Sequence, residues 1–420
     1  PLLSPKRGSD LHITIDEVLQ YIVEKELAAQ VRKVGARRGI GVMVEPRTGR
    51  VLAMAEVPGF NPNIYSKYDQ EIWRQAVVQE VYEPGSTFKL ITAAAYLEAG
   101  GSLKKLFFAE NGKFRIPGTR RTVRDHNKFG WLSAREIIVK SSNIGTYKMA
   151  LDVKSERLYR TIRRFGFGRP TGVGLSGETG GILRPLRKWS KTSLLAVAIG
   201  QEVGVTPIQM VMVAAAIANG GIMPSPHIVE AVERNGRIGR VSDYSRVFRV
   251  VTSRVAQQLA ALMRDVVTRG TGKLAEVKGY GAAGKTGTAQ KFDRNSLTYS
   301  QSKFVMSFLG FVPYQNPRFA LLVIIDEGRS AGGAWGGTVA APVWKRIAWQ
   351  SLRYLRVPPE GAKVLTVSGT SLLPGKSFVP RRTALREKVL NIVASVRQVL
   401  HGNLVVEKNL SSRSQRGSAP

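Results

Sequence analysis

The sequence predicts an α+β fold in which one antiparallel sheet is assembled from both ends of a segment of about 310 residues. Early in the chain, Gly41–Glu45 and Val51–Ala55 read as short strands that flank a turn at residues 46–49, so they form a hairpin. Three strand-like stretches return late in the chain: Gly284–Gln290, Phe304–Val312 and Phe319–Asp326. The pattern between these two groups is mostly helical. We therefore expect a long helical insertion between the second and third strands of the sheet.

The other elements follow from local periodicity. Leu11–Asp16 alternates like a strand, and Asp16 is a suitable N-cap for a helix whose apolar positions are Leu19, Ile22, Val23, Leu27 and Val31. The apolar spacing predicts four more helices, at Ser86–Glu98, Ser133–Leu151, Thr206–Ala218 and Ser253–Val267. A closing helix is expected over Pro342–Leu355, with the proline near its first turn.

The composition changes after Val357, where two prolines follow. The apolar residues Leu385, Val389, Ile392, Val396 and Val399 predict an amphipathic helix, and residues 411–420 are expected to be disordered. We therefore divide the chain into an N-terminal linker with the first helix at 1–35, a main domain at 36–356 and a basic extension at 357–420.

The chain is strongly basic, with 63 Lys and Arg against 30 Asp and Glu, which gives a formal charge of +33. Such a field favours a polyanionic partner, namely nucleic acid, anionic lipid headgroups or an acidic cell-wall polymer, although basic residues also simply solubilise a surface. Nucleic acid is the weakest of the candidate partners, because no zinc finger, aromatic RNA-binding motif or basic zipper is present. The absence of cysteine excludes thiol nucleophiles, disulfides and Cys-ligated metals, and four histidines make a His-rich metal site an unattractive hypothesis.

No membrane span is expected within this sequence. The longest apolar stretch, Val211–Ala218, is far shorter than the ~18 residues that a span requires. The sequence opens at Pro1 rather than at methionine, so we expect that a longer protein extends further toward the N-terminus.

Two glycine motifs in the chain lack the context that their chemistry needs. Residues 172–177 fit the dinucleotide pattern GxGxxG, but Arg169 and Pro170 precede them where a strand should be, which predicts a loop. Residues 328–332 fit the nucleophile elbow of hydrolases, yet the following glycines start a helix poorly and only His401 lies downstream as a base. We interpret the second motif as a glycine-rich turn.

A third motif, Gly279–Thr286, satisfies the P-loop pattern in full, and Leu321–Glu327 resembles a Walker B strand. A P-loop holds phosphate at the N-terminus of a helix. The residues after Thr286 show no helical period, so a nucleotide-binding NTPase remains a minor alternative.

Three further motifs act together. Ser-x-x-Lys occurs three times, at Ser86–Lys89, Ser102–Lys105 and Ser300–Lys303, but only the first stands at a sensible helix start. Its i, i+3 spacing places the hydroxyl and the amine on one helix face. Ser141-Ser-Asn143 and Lys285-Thr-Gly287 are each unique in the chain, and Thr288 continues the latter. The order and rough spacing of the three motifs are those of one superfamily of serine acyl-transferases.

Residues 10–356 resemble the transpeptidase domain of class B penicillin-binding proteins, specifically the division-type (septal) group. The resemblance rests on Val81-Tyr-Glu-Pro-Gly-Ser-Thr-Phe-Lys89, Trp131-Leu-Ser, Lys140-Ser-Ser-Asn-Ile-Gly145 and Ala283-Gly-Lys-Thr-Gly-Thr-Ala-Gln290. It implies the penicillin-binding protein/β-lactamase-like fold, with a five-stranded antiparallel sheet, flanking helices and a large helical insertion. Residues 73–76 depart from the Arg-Asn-Arg-Ala expected before the nucleophile, and residues 357–420 match nothing in that family.

The resemblance implies a D,D-transpeptidase that cross-links peptidoglycan stem peptides through a serine acyl-enzyme and that β-lactams inhibit. Ser86 would be the nucleophile, Lys89 its base and Ser141 the proton relay. Asn143, Lys285, Thr286, Gly287 and Thr288 would bind the substrate, and the backbone N–H groups of Ser86 and Thr288 would form the oxyanion hole. No cofactor or metal is expected. Because no histidine lies in these motifs, a lysine has to activate the serine.

The same resemblance implies a setting in the cell. The group normally carries an N-terminal membrane anchor and a pedestal domain, so the catalytic domain would lie outside the cytoplasmic membrane, beside a membrane-embedded glycosyltransferase and other division proteins. Three alternatives remain open: a β-lactamase or β-lactam sensor of the same fold, the P-loop NTPase, and an inactive wall-binding module. The first would need a carboxylate base aimed at the acyl ester, and no such motif stands out.

Overall fold

The computed structural model describes residues 8–119, 121–240, 247–293, 298–328, 333 and 335–361. The strands are β1 Asp10–Ile13, β2 Arg38–Val44, β3 Val51–Val57, β4 Leu106–Phe108, β5 Lys113–Arg115, β6 Thr122–Arg124, β7 Trp131–Ser133, β8 Ile182–Leu183, β9 Val203–Gly204, β10 Ile222–Met223, β11 Val229–Arg234, β12 Arg237–Arg240, β13 Phe248–Arg249, β14 Ala283–Asp293, β15 Thr298–Val312 and β16 Phe319–Asp326.

The α-helices separate these strands and cover the main sheet. They are α1 Glu17–Val34, α2 Ala76–Gln79, α3 Lys89–Glu98, α4 Ala134–Lys140, α5 Asn143–Val153, α6 Ser155–Arg164, α7 Ser193–Ala198, α8 Pro207–Ala218, α9 Ser253–Arg269 and α10 Gly336–Tyr354. Short 3-10 helices lie at Pro62–Lys67, Gln70–Trp73, Gly85–Phe88, Glu110–Gly112, Leu186–Lys188 and Lys273–Ala275.

The main sheet has five antiparallel strands in the order β14-β15-β16-β2-β3. The early hairpin joins the late strands through β16 and β2, with Ala320 opposite Val44 and Asp326 opposite Arg38. The predicted α+β fold is therefore confirmed, with the helical insertion between β3 and β14. Strand β14 lies at the edge of the sheet, so one side of its backbone is available to a further extended chain.

Both faces of the sheet are buried, and every residue of β16 is buried as a result. Successive residues of this strand alternate between two cores: Leu322 and Ile324 face one, and Leu321 and Val323 face the other. The first core lies under α3, α8 and α9, and the second lies under α1 and α10. The alternation explains why the sequence of β16 reads as one continuous apolar run.

Helix α1 begins after Asp16, as predicted, because the Asp16 carboxylate accepts hydrogen bonds from the backbone N–H groups of Val18 and Leu19, each at 3.0 Å. Helix α8 contains the longest apolar stretch of the sequence, and it is buried on nearly all sides against the sheet. In the described part of the chain, none of the helices combines the length and apolar character that crossing a bilayer requires.

The single helix predicted over Ser133–Leu151 is wrong, because the chain breaks at Ser141. This residue adopts the left-handed conformation with φ of 59° and ends α4, and Ser142 then caps α5. The apolar period continues through the break, which is why periodicity alone did not reveal it. The break is what turns the Ser141 side chain and carbonyl toward α3.

The start predicted for the closing helix is also wrong. Helix α10 begins at Gly336, so Pro342 lies inside it and not in its first turn. A Cβ on Gly336 would lie 2.2 Å from the carbonyl oxygen of Gly287 and 2.5 Å from that of Ser307. Only glycine permits the start of α10 to approach β14 and β15 this closely. Because Gly336 and Gly337 disfavour helices, the sequence did not reveal that α10 begins with them.

Two of the three glycine motifs lack the flanking elements that their chemistry needs, as predicted, whereas one premise about residues 328–332 is wrong: the glycines that follow this motif do start a helix, α10, at Gly336. Residues 172–177 form a loop without a flanking strand and helix, and Thr286 lies within β14, with no helix after it. Four residues of the 328–332 motif lie outside the described residues, as do the tail segments predicted at 385–399 and 411–420.

Candidate active site

Ser86 lies on the 3-10 helix Gly85–Phe88, which leads directly into α3. Gly85 has φ of +54°, and a Cβ there would lie 3.0 Å from the carbonyl oxygen of Thr288. This contact presses the start of the helix against the edge strand β14. The backbones of Ser86 and Thr288 are therefore neighbours, as an oxyanion hole built from their N–H groups requires.

Lys89 is the first residue of α3 and is completely buried. Its Nζ donates hydrogen bonds to the Ser141 carbonyl at 2.6 Å and to Asn143 Oδ1 at 2.7 Å, and it lies 3.3 Å from Ser141 Oγ. Within the described residues its hydrogen bonds go to these two partners, and none joins it to Ser86. These hydrogen bonds hold the amine between Ser141 and Asn143.

The second wall of the site is the junction between α4 and α5. A reciprocal capping box between Ser133 and Glu136 fixes the start of α4, and the left-handed Ser141 ends the helix beside Lys89. The Asn143 amide is engaged at both ends, because its Nδ2 donates to the Arg124 carbonyl at 2.8 Å while its oxygen accepts from Lys89. A substrate amide would have to compete for one of these bonds.

The third wall is β14. Lys285 is completely buried, and its Nζ donates to Ser141 Oγ at 3.0 Å and to the Thr286 carbonyl at 3.1 Å. The hydroxyl of Thr286 lies 2.6 Å from that of Thr271, and Thr288 Oγ1 accepts from the N–H of Gly336 at 3.0 Å. Both threonine hydroxyls therefore have fixed positions.

Gly287 lies between these threonines and is required by packing. A Cβ at this position would meet Ser307 Oγ at 2.2 Å and Thr87 Cγ2 at 2.9 Å. A larger residue would push β14 away from the helix that carries Ser86. The predicted substrate-binding residues are thus part of the contact that closes the site.

Two buried amines share the Ser141 hydroxyl, and this sets the electrostatics of the site. Burial lowers the pKa of Lys89 to about 7, and the nearby Asp125 carboxylate opposes that effect. Burial and then the positive charge of Lys89 lower the pKa of Lys285 well below its ordinary value. An amine with a pKa near 7 is able to accept a proton from a serine hydroxyl at neutral pH.

Sequence reasoning did not identify Asp125. Its carboxylate accepts hydrogen bonds from Ser142 Oγ at 2.6 Å, from the N–H of Ile144 at 3.1 Å and from the N–H of Asn143. It therefore fixes the start of α5 and stabilises charge on Lys89 at the same time. No sequence motif marks this residue, because it follows a three-residue strand and lies sixteen positions before Ser141.

The other two Ser-x-x-Lys motifs do not form comparable sites. Lys105 is an exposed amine that binds Asp152 at 2.5 Å. Lys303 is exposed on β15, 4.0 Å from Glu327, and Ser300 Oγ accepts the backbone N–H of Lys303. Neither amine is desolvated, so neither is prepared to act as a base.

The chain is similar to known proteins in sequence and in structure. The family model described as "Penicillin binding protein transpeptidase domain" matches residues 39–348. Stage V sporulation protein D of Bacillus subtilis (strain 168) is 35% identical over 84% of this chain and 55% of its own length. Peptidoglycan D,D-transpeptidase FtsI of Escherichia coli (strain K12) is 33% identical over 84% of this chain and 57% of its own. The chain thus spans a little over half the length of these curated relatives.

Solved structures give the same result. Penicillin-binding protein 3 of Mycobacterium tuberculosis, in complex with aztreonam, superposes with a TM-score of 0.78 at 31% identity, covering 88% of this chain and 82% of that one. The transpeptidase domain of penicillin-binding protein 3 from Burkholderia pseudomallei gives 0.71 at 31% identity, covering 83% of this chain and 97% of that one.

Proposed function

Because this chain belongs to the penicillin-binding protein transpeptidase family, we propose that it is a serine D,D-transpeptidase that cross-links peptidoglycan stem peptides during septal wall synthesis. The observation that carries the proposal is the buried amine of Lys89, one helical turn from Ser86, in contact with Ser141 and Asn143 and beside a second buried lysine. A β-lactam would acylate the same serine.

In the proposed reaction, Ser86 Oγ attacks the carbonyl between the two terminal D-alanines, and its proton passes to neutral Lys89. The N–H groups of Ser86 and Thr288 stabilise the tetrahedral oxyanion. Ser141, bound by both lysines, relays the proton to the leaving amine of D-alanine. The C–N bond breaks, and the ester on Ser86 remains until the amine of a second stem peptide attacks it and restores the hydroxyl.

In this proposal, residues of β14, the third wall of the site, bind the substrate. Lys285, Thr286 and Thr288 surround the place where we put the terminal carboxylate, and Gly287 allows β14 to approach it. Asn143 would bind the peptide amide in exchange for one of its present partners. The edge position of β14 supports binding of an extended peptide alongside it.

The proposal also covers the domain boundaries and the place in the cell where the domain acts. We place the transpeptidase domain at 36–356, with 1–35 as linker and first helix and 357–420 as a basic extension. The catalytic domain would act on the outer side of the cytoplasmic membrane, next to a membrane-embedded glycosyltransferase and division proteins. No nucleic acid is required.

The decisive experiment is an intact-mass measurement after addition of benzylpenicillin. We expect one stable adduct, and peptide mapping should place it on Ser86, because the Asp125 carboxylate is occupied by capping bonds and not available as a hydrolytic base. The Ser86→Ala variant should give no adduct, whereas the matched controls Ser102→Ala and Ser300→Ala should react normally. An adduct on Ser102 or Ser300 would refute the assignment, and rapid loss of the adduct would indicate a β-lactamase.

A further inference from the structure

The β5–β6 hairpin has a basic outer face. Lys113 of β5 lies directly opposite Arg124 of β6, and both residues are exposed. The next pair along the hairpin, Phe114 and Val123, points to the other face and belongs to a small core that includes residues of α5. Like charges directly opposite each other on two strands destabilise the pairing, so Lys113 and Arg124 weaken the hairpin that carries them.

Hydrogen bonds join this end of the hairpin to the catalytic residues. The backbone carbonyl of Arg124 accepts from Asn143 Nδ2 at 2.8 Å, and Oδ1 of the same amide accepts from Lys89 at 2.7 Å. The next residue, Asp125, holds the start of α5. The backbone that carries Arg124 is therefore linked to the catalytic lysine through a single side chain, that of Asn143.

The acidic residues nearest to this pair in the sequence are engaged elsewhere. Glu110 binds Lys148 at 2.5 Å, and the Asp125 carboxylate accepts the hydrogen bonds that hold the start of α5. Among the residues that the structure describes, neither Lys113 nor Arg124 forms an ion pair with an acidic side chain. Two adjacent positive charges therefore face the solvent beside the site without a partner of opposite sign.

We propose that Lys113 and Arg124 bind a carboxylate of the acyl acceptor, an acidic peptide, and so hold its amine beside the ester on Ser86. A guanidinium binds a carboxylate through two parallel hydrogen bonds, and the neighbouring lysine adds a second charge. The inference rests on the proposed function, since it concerns the second substrate of the same reaction. When the amine attacks, an amide bond forms at the acyl carbon, the ester C–O bond breaks, and the proton that the amine releases restores the Ser86 hydroxyl. Water has no carboxylate, so the pair favours transfer over hydrolysis.

The experiment compares two acceptor peptides of equal shape, Gly-Glu-Glu and Gly-Gln-Gln, both amidated at the C-terminus. A thioester analogue of the donor acylates Ser86, and mass spectrometry gives the ratio of transfer product to hydrolysis product. In wild type this ratio should be higher with the acidic peptide. Lys113→Gln/Arg124→Gln should lower it by about twofold to thirtyfold, the range for two exposed ion pairs, and should affect the neutral peptide less. The matched control is Arg234→Gln/Arg237→Gln, since these exposed arginines also lie opposite each other, in a different sheet. This control should keep the wild-type ratio.

Three outcomes would overturn the inference: equal transfer to both peptides by wild type that is acylated on Ser86, an unchanged ratio in Lys113→Gln/Arg124→Gln, or an equal fall in the control. The last would assign the effect to overall charge. Lys113→Gln alone, which leaves Arg124 in place, should show part of the fall. Thermal unfolding midpoints separate binding from folding, because removing the repulsion between the strands should leave the double variant at least as stable as wild type. Failure of the proposed function would look different, since no acyl-enzyme would then form on Ser86.

Discussion

When the Lys285 amine is removed, the pH range over which the acylation rate rises should lie higher than in wild type. The hydrogen bonds of Lys89 and Lys285 to the same Ser141 oxygen, 3.3 and 3.0 Å long, place the two nitrogens at most about 6 Å apart. At an effective dielectric constant of about 20, two positive charges at that distance repel by about 3 kcal/mol, which corresponds to about two pH units.

Acylation requires neutral Lys89, so the rate should rise with pH through the pKa of this amine, about 7 in wild type. In Lys285→Ala the repulsion is gone, the charged form of Lys89 is less disfavoured, and its pKa rises. The ascending limb should therefore move to higher pH, by about two units if Lys285 is charged over the range in which Lys89 titrates. The apparent value belongs to the coupled pair in wild type and to Lys89 alone in the variant.

The assay is stopped-flow acylation by a chromogenic cephalosporin between about pH 5 and pH 10, below and above the expected limb. Lys285→Arg is the matched control, because it keeps a positive charge at the same position and should leave the limb near its wild-type range. A limb that stays in place in Lys285→Ala, with only the affinity reduced, would refute the reasoning. Lys285 would then serve the substrate carboxylate without tuning Lys89.

Two further perturbations have expected outcomes. Asp125→Asn should move the same limb to lower pH, because the carboxylate raises the pKa of Lys89; a shift to higher pH would contradict this. Asp125→Ala should also lower the free energy of unfolding by about 1–2 kcal/mol in urea denaturation, since it removes the acceptor at the start of α5. Deleting residues 361–420 should leave the acylation rate within a few-fold of wild type, and a loss of more than about a hundredfold would show that the tail completes the site.

The main sheet and the three motifs could be predicted because their signals are local. Apolar alternation, a turn and a helix start are each contained within a few residues, and Ser86 and Lys89 lie one turn apart where a 3-10 helix leads into α3. Resemblance to a known family supplied the order in which distant motifs combine. The structure brings Ser86, Lys89, Ser141 and Lys285 to a single site in that arrangement.

The remaining features depend on contacts between distant segments. Asp125 acts through hydrogen bonds to the start of α5, and the ring of His126 contacts that of Trp335, more than two hundred positions away. The break at Ser141 lies within a continuous apolar period, so the period does not reveal it, and the only local signal is Ser142, which caps α5. The start of α10 depends on how closely Gly336 approaches β14 and β15, so it becomes visible only once those strands are in place.

The pairing of β2 with β16 also determines when the main sheet can form during synthesis. About 280 residues separate the paired positions. Closing so long a loop costs much conformational entropy, so we expect this contact to form late in folding. During translation, β2 and β3 emerge before β16 and cannot pair with it until it has been synthesised. The helices of the insertion can pack on one another before that. Because β14 and β16 both belong to the main sheet, a nascent chain should become reactive toward penicillin only after β16 has been translated.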